Sequence, residues 1–193
     1  MLISRIMALS AAALVTLGLG ACSQMMAEDG GGETTVEVGG APMFPSKNIV
    51  ENAVNSADHT TLVAAVKAAG LVETLQGEGP FTVFAPTNAA FEALPPGTVE
   101  TLLKSENKPV LTKILTYHVV PGRLGATELM AAIQAGGGMA PLPTASGGTL
   151  TAWVQDGKVM VKDDKGQSAS VTIADVFQSN GVIHVVDTVL LPN

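Results

Sequence analysis

The sequence has few of the residues on which most protein chemistries depend. It contains a single cysteine among 193 residues, Cys22, which excludes an intrachain disulfide and any cysteine-rich zinc site. Charged residues make up 14% of the chain, and 17 acidic residues outnumber 10 basic ones. The net charge of −7 provides no overall positive field for nucleic acid, so we expect no nucleic-acid partner. No apolar run reaches the roughly 20 residues of an ordinary transmembrane helix.

Sequence motifs of common enzymes are missing as well. The chain has no Gly-x-Ser-x-Gly nucleophile elbow, no Gly-x-x-x-x-Gly-Lys-[Ser/Thr] phosphate loop and no His-Glu-x-x-His zinc motif. Its three histidines lie in separate segments, without the i, i+4 spacing of a local metal pair. The adjacent Asp163 and Asp164 predict a solvated turn rather than a calcium site, because calcium needs further oxygen ligands. We therefore expect a protein without catalytic activity, cofactor or metal.

The first 22 residues have the organisation of a bacterial export signal. Arg5 precedes a run of apolar and small residues from Ile6 to Gly20, and the segment ends Leu19-Gly20-Ala21-Cys22. This ending resembles the lipobox of bacterial lipoproteins. The resemblance implies that residues 1–21 are removed as a signal peptide and that Cys22 carries acyl chains that anchor the protein in a membrane. The alternative is an ordinary cleaved signal with an incidental cysteine.

Residues 22–45 predict an acidic, glycine-rich tether behind the lipidated cysteine. The stretch after Cys22 contains four acidic residues and five glycines but no lysine or arginine. Such a composition buries too little apolar surface to offset the entropy of ordering the chain. A short strand at Thr34–Val38 is the alternative for part of it. Residues 46–193 then form one domain, which is long enough to fold without disulfides or metal.

Residues 46–193 change from helical to strand-like periodicity along the chain. Helical spacing and capping residues predict helices over residues 48–54, 60–69, 71–76, 88–94, 99–105, 108–117 and 127–135. Strands are predicted over residues 80–86, 149–155, 158–162, 171–173 and 182–191. Helices early and a meander of strands late indicate an α+β fold rather than a parallel α/β fold.

The dipeptide Asp156-Gly157 predicts a two-residue hairpin turn, because a type I′ turn needs positive φ angles. That turn sets the register, with Trp153 opposite Met160 and Val154 opposite Val159. One face then carries the expected core residues Leu150, Ala152, Val154, Val159 and Val161. The other face carries Thr151, Trp153, Gln155, Lys158, Met160 and Lys162.

Three segments resemble the signatures of the fasciclin domain. Phe81–Phe91 (FTVFAPTNAAF) is similar to the first signature, Tyr117–Val120 to the central tyrosine–histidine motif and Gly181–Pro192 to the second signature. The resemblance covers residues 46–192. It implies a single wedge-shaped α+β domain, with bent and mostly antiparallel β-sheets of about seven strands flanked by several helices. It also implies an extracellular adhesion module without catalysis.

The matched motif residues receive structural roles in this interpretation. They are Phe81, Phe84, Pro86, Thr87, Asn88, Phe91, Tyr117, His118, His184 and Asp187. The phenylalanines are expected in the core and Thr87 at a helix N-cap. We expect His118 and His184 to be buried and neutral, with both ring nitrogens hydrogen-bonded, and His59 to be solvated. Asn88 stands where family members often have aspartate.

Two apolar places are candidate contacts for a partner. Trp153 and Met160 share a strand face, and a loop at 139–143 exposes Met139 and Leu142. The alternative for Trp153 and Met160 is a second small core beneath a helix or loop. Together with the lipobox, these features predict a lipid-anchored protein of the bacterial cell envelope that binds an envelope protein or glycan. The resemblance to lipoproteins of enterobacteria implies that a residue other than aspartate after the anchor, here Ser23, directs the protein to the outer membrane, facing the periplasm or the cell surface.

A different class of function remains open at this point. Some fasciclin-like proteins bind carotenoids, so the resemblance also allows an apolar small molecule, a carotenoid or a lipid, as the ligand. A groove that includes Trp153 or the segment Met139–Leu142 would hold it.

Overall fold

A computed structural model describes residues 33–193, in which the helices precede a run of five consecutive strands. The helices are α1 Ile49–Ala53, α2 Thr60–Ala69, α3 Val72–Gln76, α4 Asn88–Glu92, α5 Thr98–Leu102, α6 Lys108–Tyr117 and α7 Ala126–Ala135. The strands are β1 Val36–Val38, β2 Ala41–Met43, β3 Phe81–Pro86, β4 Val119–Pro121, β5 Met139–Pro143, β6 Thr149–Gln155, β7 Lys158–Lys162, β8 Ser168–Gln178 and β9 Gly181–Val186. None of the helices in this part of the chain is long and apolar enough to span a membrane.

Seven strands form one mixed sheet in the order β4-β3-β9-β8-β7-β6-β5. All neighbours are antiparallel except β3 and β9, which run parallel with Phe84 beside His184. The predicted α+β fold, with about seven mostly antiparallel strands flanked by several helices, is confirmed. The parallel pair brings the first and the last signature segments side by side, although about a hundred residues separate them in sequence.

The apolar side chains divide into two cores. We call the first the helical core; its buried residues are Val38, Met43, Ile49, Val50, Leu62, Ala65, Val66, Ala69, Leu75, Val83, Ala85, Ala90, Phe91, Leu111, Ile114, Leu115, Val119, Val176, Ile183, Val185 and Val189. We call the second the strand core; its buried residues are Phe84, Tyr117, Val120, Leu129, Ile133, Ala140, Leu142, Leu150, Ala152, Val161, Ala169, Val171, Val186 and Leu190. Alternation along β3 sends Val83 and Ala85 to one core and Phe84 to the other, because successive strand residues face opposite sides.

The predicted tether was wrong for its second half. Strands β1 and β2 pair as a hairpin, and Val38 and Met43 are buried in the helical core. Gly39 and Gly40 have φ angles of 59° and 72°, which a tight hairpin turn accepts. The short strand at Thr34–Val38, given as the alternative for part of the tether, agrees with β1 at Val36–Val38. The folded unit therefore begins at Glu33, while Cys22 and the rest of residues 1–32 lie outside the described residues.

The hairpin register predicted from Asp156-Gly157 is confirmed. Trp153 pairs with Met160 and Val154 with Val159. The predicted core face is only partly correct, since Val154 is 43% exposed. The reason is that the pairing between β5 and β6 ends at Trp153, so Val154 extends beyond the neighbouring strand.

The apolar segment at 139–143 is a strand rather than a loop. Strand β5 lies at the edge of the sheet. Proline has no backbone N–H to donate, so an edge strand tolerates two prolines that an interior strand would not. The residues of β5 alternate between buried and exposed, with Met139 53% exposed and Leu142 only 4% exposed. The prediction of Leu142 as a partner contact was therefore wrong, because its side chain packs in the strand core.

The last two strands differ in length from their predictions. Strand β8 is eleven residues long, against three predicted, and its pairing with β9 is interrupted by register shifts near Ile173. Strand β9 ends at Val186, five residues before the predicted end. The side chains of Val189 and Leu190 are buried without belonging to a strand.

Candidate functional site

The first signature segment connects the sheet to a short helix. Strand β3 ends at Pro86, and Thr87 caps α4 because its Oγ1 accepts a hydrogen bond from the Ala90 amide at 3.3 Å. Phe91 is buried in the helical core, and Phe81 packs against the same core from a partly exposed position. Phe84 is fully buried and stacks on the His184 ring, with 5.7 Å between the ring centroids. These residues fix the centre of the fold.

The Asn88 amide joins α4 to the start of α2. Its Oδ1 accepts hydrogen bonds from the Thr61 amide at 3.0 Å and the Thr60 hydroxyl at 3.2 Å. Its Nδ2 donates to the Ala57 carbonyl at 2.8 Å. An ionised aspartate has no donor for Ala57, so asparagine here satisfies one more backbone group than aspartate would.

The tyrosine–histidine motif connects the two cores. The Tyr117 hydroxyl donates to the Thr149 carbonyl at 3.0 Å and accepts from the Asp164 amide at 3.1 Å, and burial raises the pKa of Tyr117 to about 12. His118 Nε2 accepts a hydrogen bond from the Leu190 amide at 3.0 Å, so its Nδ1 carries the proton and donates to the Ile114 carbonyl at 2.8 Å. Burial lowers the pKa of His118, which favours the neutral ring.

His184 lies on β9 at the centre of the sheet. Its Nε2 and the Leu124 carbonyl are 2.7 Å apart, and its Nδ1 accepts from the Asp175 amide at 3.4 Å. Burial lowers the pKa of His184 as well. Because both nitrogens bond to backbone groups, the ring is occupied in joining β9 to the segments around it and has no free nitrogen for a ligand.

The expectation of a solvated turn was wrong for Asp163. Its carboxylate is buried and accepts backbone hydrogen bonds at 2.9 Å from Lys165, Gln167 and Leu191. The exposed Asp187 has a similar role, because its Oδ1 accepts from the Ser170 amide at 2.8 Å and the Thr188 hydroxyl at 3.0 Å. Within residues 33–193 no group of three His, Cys, Asp or Glu residues is placed to hold a metal ion.

The expectation of a solvated His59 was also wrong. The side chain is 3% exposed, and its Nδ1 lies 2.9 Å from the Ser56 hydroxyl. Its Nε2 is buried without a hydrogen-bond partner. Burial lowers the pKa of His59, and the Ala85 backbone and the Asp58 carboxylate act in the opposite direction. The sequence pattern placed His59 at a helix start but carried no sign that strand β3 covers it.

Sequence reasoning missed a second buried polar residue, Asn180. It looked like an ordinary turn residue before Gly181, yet its Oδ1 accepts from the Ile49 amide at 3.0 Å. Its Nδ2 donates to the carbonyls of Leu75 and Gly77, both at 2.8 Å. The side chain thus ties α1 and α3 to the turn between β8 and β9.

Three of the predicted contact residues form one row across the edge of the sheet. Met139 pairs with Trp153 on β6, and Trp153 pairs with Met160 on β7. We call these three side chains the methionine–tryptophan row. Met139 is exposed, Trp153 and Met160 are half-buried, and the Lys162 ammonium lies 5.9 Å from the Trp153 ring. Neither Trp153 nor Met160 belongs to the helical core or the strand core, which argues against the alternative that the pair forms a second small core.

The comparison with protein families decides the classification. The model of the fasciclin domain matches residues 57–192. The chain belongs to the fasciclin domain family. Protein sll1483 of Synechocystis is 51% identical over 180 residues, which is 93% of each chain. The cell surface glycolipoprotein MPB83 of Mycobacterium bovis is 37% identical over 122 residues, covering 63% of this chain and 48% of that protein.

A solved structure has the same fold as this fasciclin domain. It is the FAS1 domain pair from the insect cell adhesion molecule Fasciclin I, with a TM-score of 0.68 at 18% identity. The match covers 75% of this chain and 51% of the two-domain chain. Fasciclin domain proteins are in general adhesion-type proteins without enzymatic activity. In the present chain, the polar residues of the three signatures are hydrogen-bonded within the domain, and the methionine–tryptophan row faces outward.

Proposed function

We propose that this fasciclin domain is a non-enzymatic interaction module, held on the bacterial cell envelope through an acylated Cys22, that binds an envelope protein or a glycan. The observation that carries the binding part is the methionine–tryptophan row. The signature histidines His118 and His184 have both ring nitrogens engaged with backbone groups. These histidines therefore have a structural role, which leaves the surface of the domain for recognition of a partner.

The row has the properties of an interaction hot spot. Its three side chains stand on neighbouring strands, so the hydrogen-bonded sheet holds them in fixed positions before any partner arrives. Tryptophan and methionine are enriched at the centres of protein interfaces. Lys162 beside the Trp153 ring adds a cation at the rim of the same patch. A flat aromatic ring next to a charged group also suits a sugar ring or an acidic side chain.

Substitution of Trp153 tests the binding site. Trp153→Ala in the full chain should weaken binding to envelope fractions from the producing cells at least tenfold, because truncation of a hot-spot tryptophan removes most of the local contact. Val110→Ala is the matched control, since Val110 is 50% exposed but lies on α6, outside the row. Equal binding by the folded Trp153→Ala protein would refute the site. Loss of binding after glycosidase treatment of the fractions would identify a glycan.

The lipid anchor is proposed from Leu19-Gly20-Ala21-Cys22. The name of the relative MPB83 describes a cell surface glycolipoprotein, which supports the same mode of attachment for this chain. Radiolabelled palmitate should mark the protein, and Cys22→Ala should abolish the label. Ser23→Asp should keep the label and move the protein from the outer to the inner membrane fraction. A label that survives Cys22→Ala would exclude the anchor.

The alternative of an apolar ligand beside Trp153 has less support. Leu142 belongs to the strand core and does not line a groove with Met139. A protein purified from its own membranes should accordingly lack the visible absorption of a carotenoid. A pigment that co-purifies with the wild-type chain and is lost from Trp153→Ala would establish the alternative instead.

A further inference from the structure

The helical core contains an apolar cavity of about 110 Å³. Its walls come from helices α1, α2, α3 and α6 and from strands β1, β2, β3, β4 and β9, and include Ile49, Leu62, Val66, Leu75, Val83 and Ile183. Its size approaches the roughly 150 Å³ of an apolar cavity known to stay dry and to bind benzene. Cavities of this size and lining can hold one aromatic ring or a short alkyl chain, and a long polyene would not fit.

A residue that lines the cavity has a buried polar atom without a hydrogen bond. His59 lines the cavity, and among the buried side-chain nitrogens and oxygens of residues 33–193 only its Nε2 lacks a hydrogen bond. The Ala85 backbone lies near enough to the His59 ring to raise its pKa, but it is not in hydrogen-bond geometry with Nε2. His118 lines the cavity too, but both of its nitrogens are bonded to backbone groups. A buried polar atom without a partner destabilises a fold, and native proteins rarely keep one. The exception at His59 is explained if a ligand supplies the partner.

The state of the His59 ring defines the group that a ligand must offer. Burial favours the neutral ring, so one nitrogen is a donor and the other an acceptor. The Ser56 hydroxyl at Nδ1 can either donate or accept, which leaves Nε2 as the donor or as the acceptor. A hydroxyl group on a ligand satisfies Nε2 in both cases, whereas a ketone or an ether satisfies it in only one.

The cavity has a side that reaches solvent. Lys67 on α2 and Thr74 on α3 both line it and are both exposed, while Val63 and Val72 beside them are half-buried. This opening belongs to the helical core, and none of the three row residues lines the cavity, so the inference does not depend on the proposed function.

We propose that the cavity is a binding site for a compact apolar molecule with a single hydroxyl group, of about the size of phenol. The hydroxyl group bonds to His59 Nε2, and the apolar part contacts the walls formed by Leu62, Val66 and Ile183. Such a ligand fills the void and satisfies the unpartnered nitrogen at the same time.

Methyl resonances of the full chain with Cys22→Ala test this site, with phenol and benzene as probes. Phenol should shift the methyl signals of Leu62, Val66 and Ile183 at millimolar concentrations, and those of Leu129 and Leu150 in the strand core should stay in place. Phenol should bind about tenfold more tightly than benzene, because only phenol bonds to His59. Absence of shifts at the lining methyls, or equal affinities for the two probes, would overturn the proposal.

Two variants separate the cavity from the hydrogen bond. Val66→Phe fills the cavity and should abolish binding of both probes, whereas Val110→Phe makes the same change on an exposed surface and should leave binding intact. His59→Leu should reduce the affinity for phenol to that for benzene. Should His59→Leu fail to fold, the imidazole ¹⁵N signals of the parent protein replace it. On adding phenol, the His59 Nε2 signal should move and those of His118 and His184 should not; an unmoved His59 signal excludes the hydrogen bond.

Discussion

The two cores of this domain share one sheet but differ in how completely they are packed. In the strand core, Leu150, Ala152 and Val161 are completely buried, and the Tyr117 hydroxyl there has both a donor and an acceptor as partners. The helical core contains a cavity of about 110 Å³ and a histidine nitrogen without a partner.

The secondary structure explains the difference. Strands in a hydrogen-bonded ladder have fixed spacing, so side chains on neighbouring strands meet at set distances. The helices α1 and α3 have five residues each, too few to be stable alone, and their positions depend on caps and side-chain contacts such as the Asn48 capping box and the Asn180 amide. Short helices that lie on a twisted sheet leave space, and the space is where a ligand can enter.

The largest expected effect comes from truncating a leucine in each core. Leu150→Ala should lower the free energy of unfolding by about 4 kcal/mol and Leu62→Ala by about 3 kcal/mol. Leu62 already borders a void and has fewer contacts to lose. Chemical denaturation measures the free energy of unfolding of both variants and shows which substitution costs more. A larger loss for Leu62→Ala would show that the two cores do not differ in packing as described.

His118→Ala tests the connection between the cores. The substitution leaves the Ile114 carbonyl and the Leu190 amide without their partner, so we expect a loss of about 1–3 kcal/mol. The variant should still bind its envelope partner at temperatures where it is folded, since His118 is buried away from the row. Unchanged stability in denaturant would contradict the structural role.

Substitutions that enlarge a side chain test the same difference in packing as the leucine truncations, but they add volume to each core. Val161→Leu should destabilise the tightly packed strand core by about 1–3 kcal/mol. Val66→Leu, the same change at the wall of the cavity, should be neutral or slightly stabilising. Thermal melts of the two variants provide the comparison. Equal destabilisation would mean that the cavity closes in solution.

The last test uses pH, which removes no atom and changes the charge of all the titrating groups at once. Burial lowers the folded-state pKa of His59, His118 and His184, so protonation favours the unfolded chain. The stabilisation of the folded state by these neutral histidines is complete above pH 6.5 and decreases as the pH falls below 6.5. Tyr117, with its pKa raised to about 12, contributes fully below pH 10 and loses that contribution between about pH 10 and 12. Unfolding free energies measured across pH should decline on both sides; constant stability from pH 7 to 5 would argue against buried neutral histidines.

Much of the fold was predictable because its signals are local. The Asp-Gly turn determines the register of β6 and β7, and Thr87 caps α4 from its own sequence neighbourhood. Errors arose where a distant segment decides burial. His59 was expected in solvent because it begins a helix, and Leu142 was expected at the surface because its segment is rich in proline. In both cases the covering segment is remote in sequence.

The candidate site was predictable to a similar extent. Pairing of Trp153 with Met160 followed from the turn, but the place of Met139 in the same row depends on β5 being the edge strand. The cavity beside His59 left no trace in the sequence. Its walls are mainly leucine, valine and isoleucine side chains, which are common in any core. The void exists because these side chains do not fill the space between the helices and the sheet.

The sequence by itself determined the α+β class, the hairpin register and the three family signatures, because each depends on residues a few positions apart. Tertiary structure alone decided the parallel contact of β3 with β9, the burial of His59, the placement of β1 and β2 in the helical core, and the cavity. The physical reason is that hydrogen bonds in turns and caps are local, whereas burial and packing are properties of segments that meet only in the folded chain.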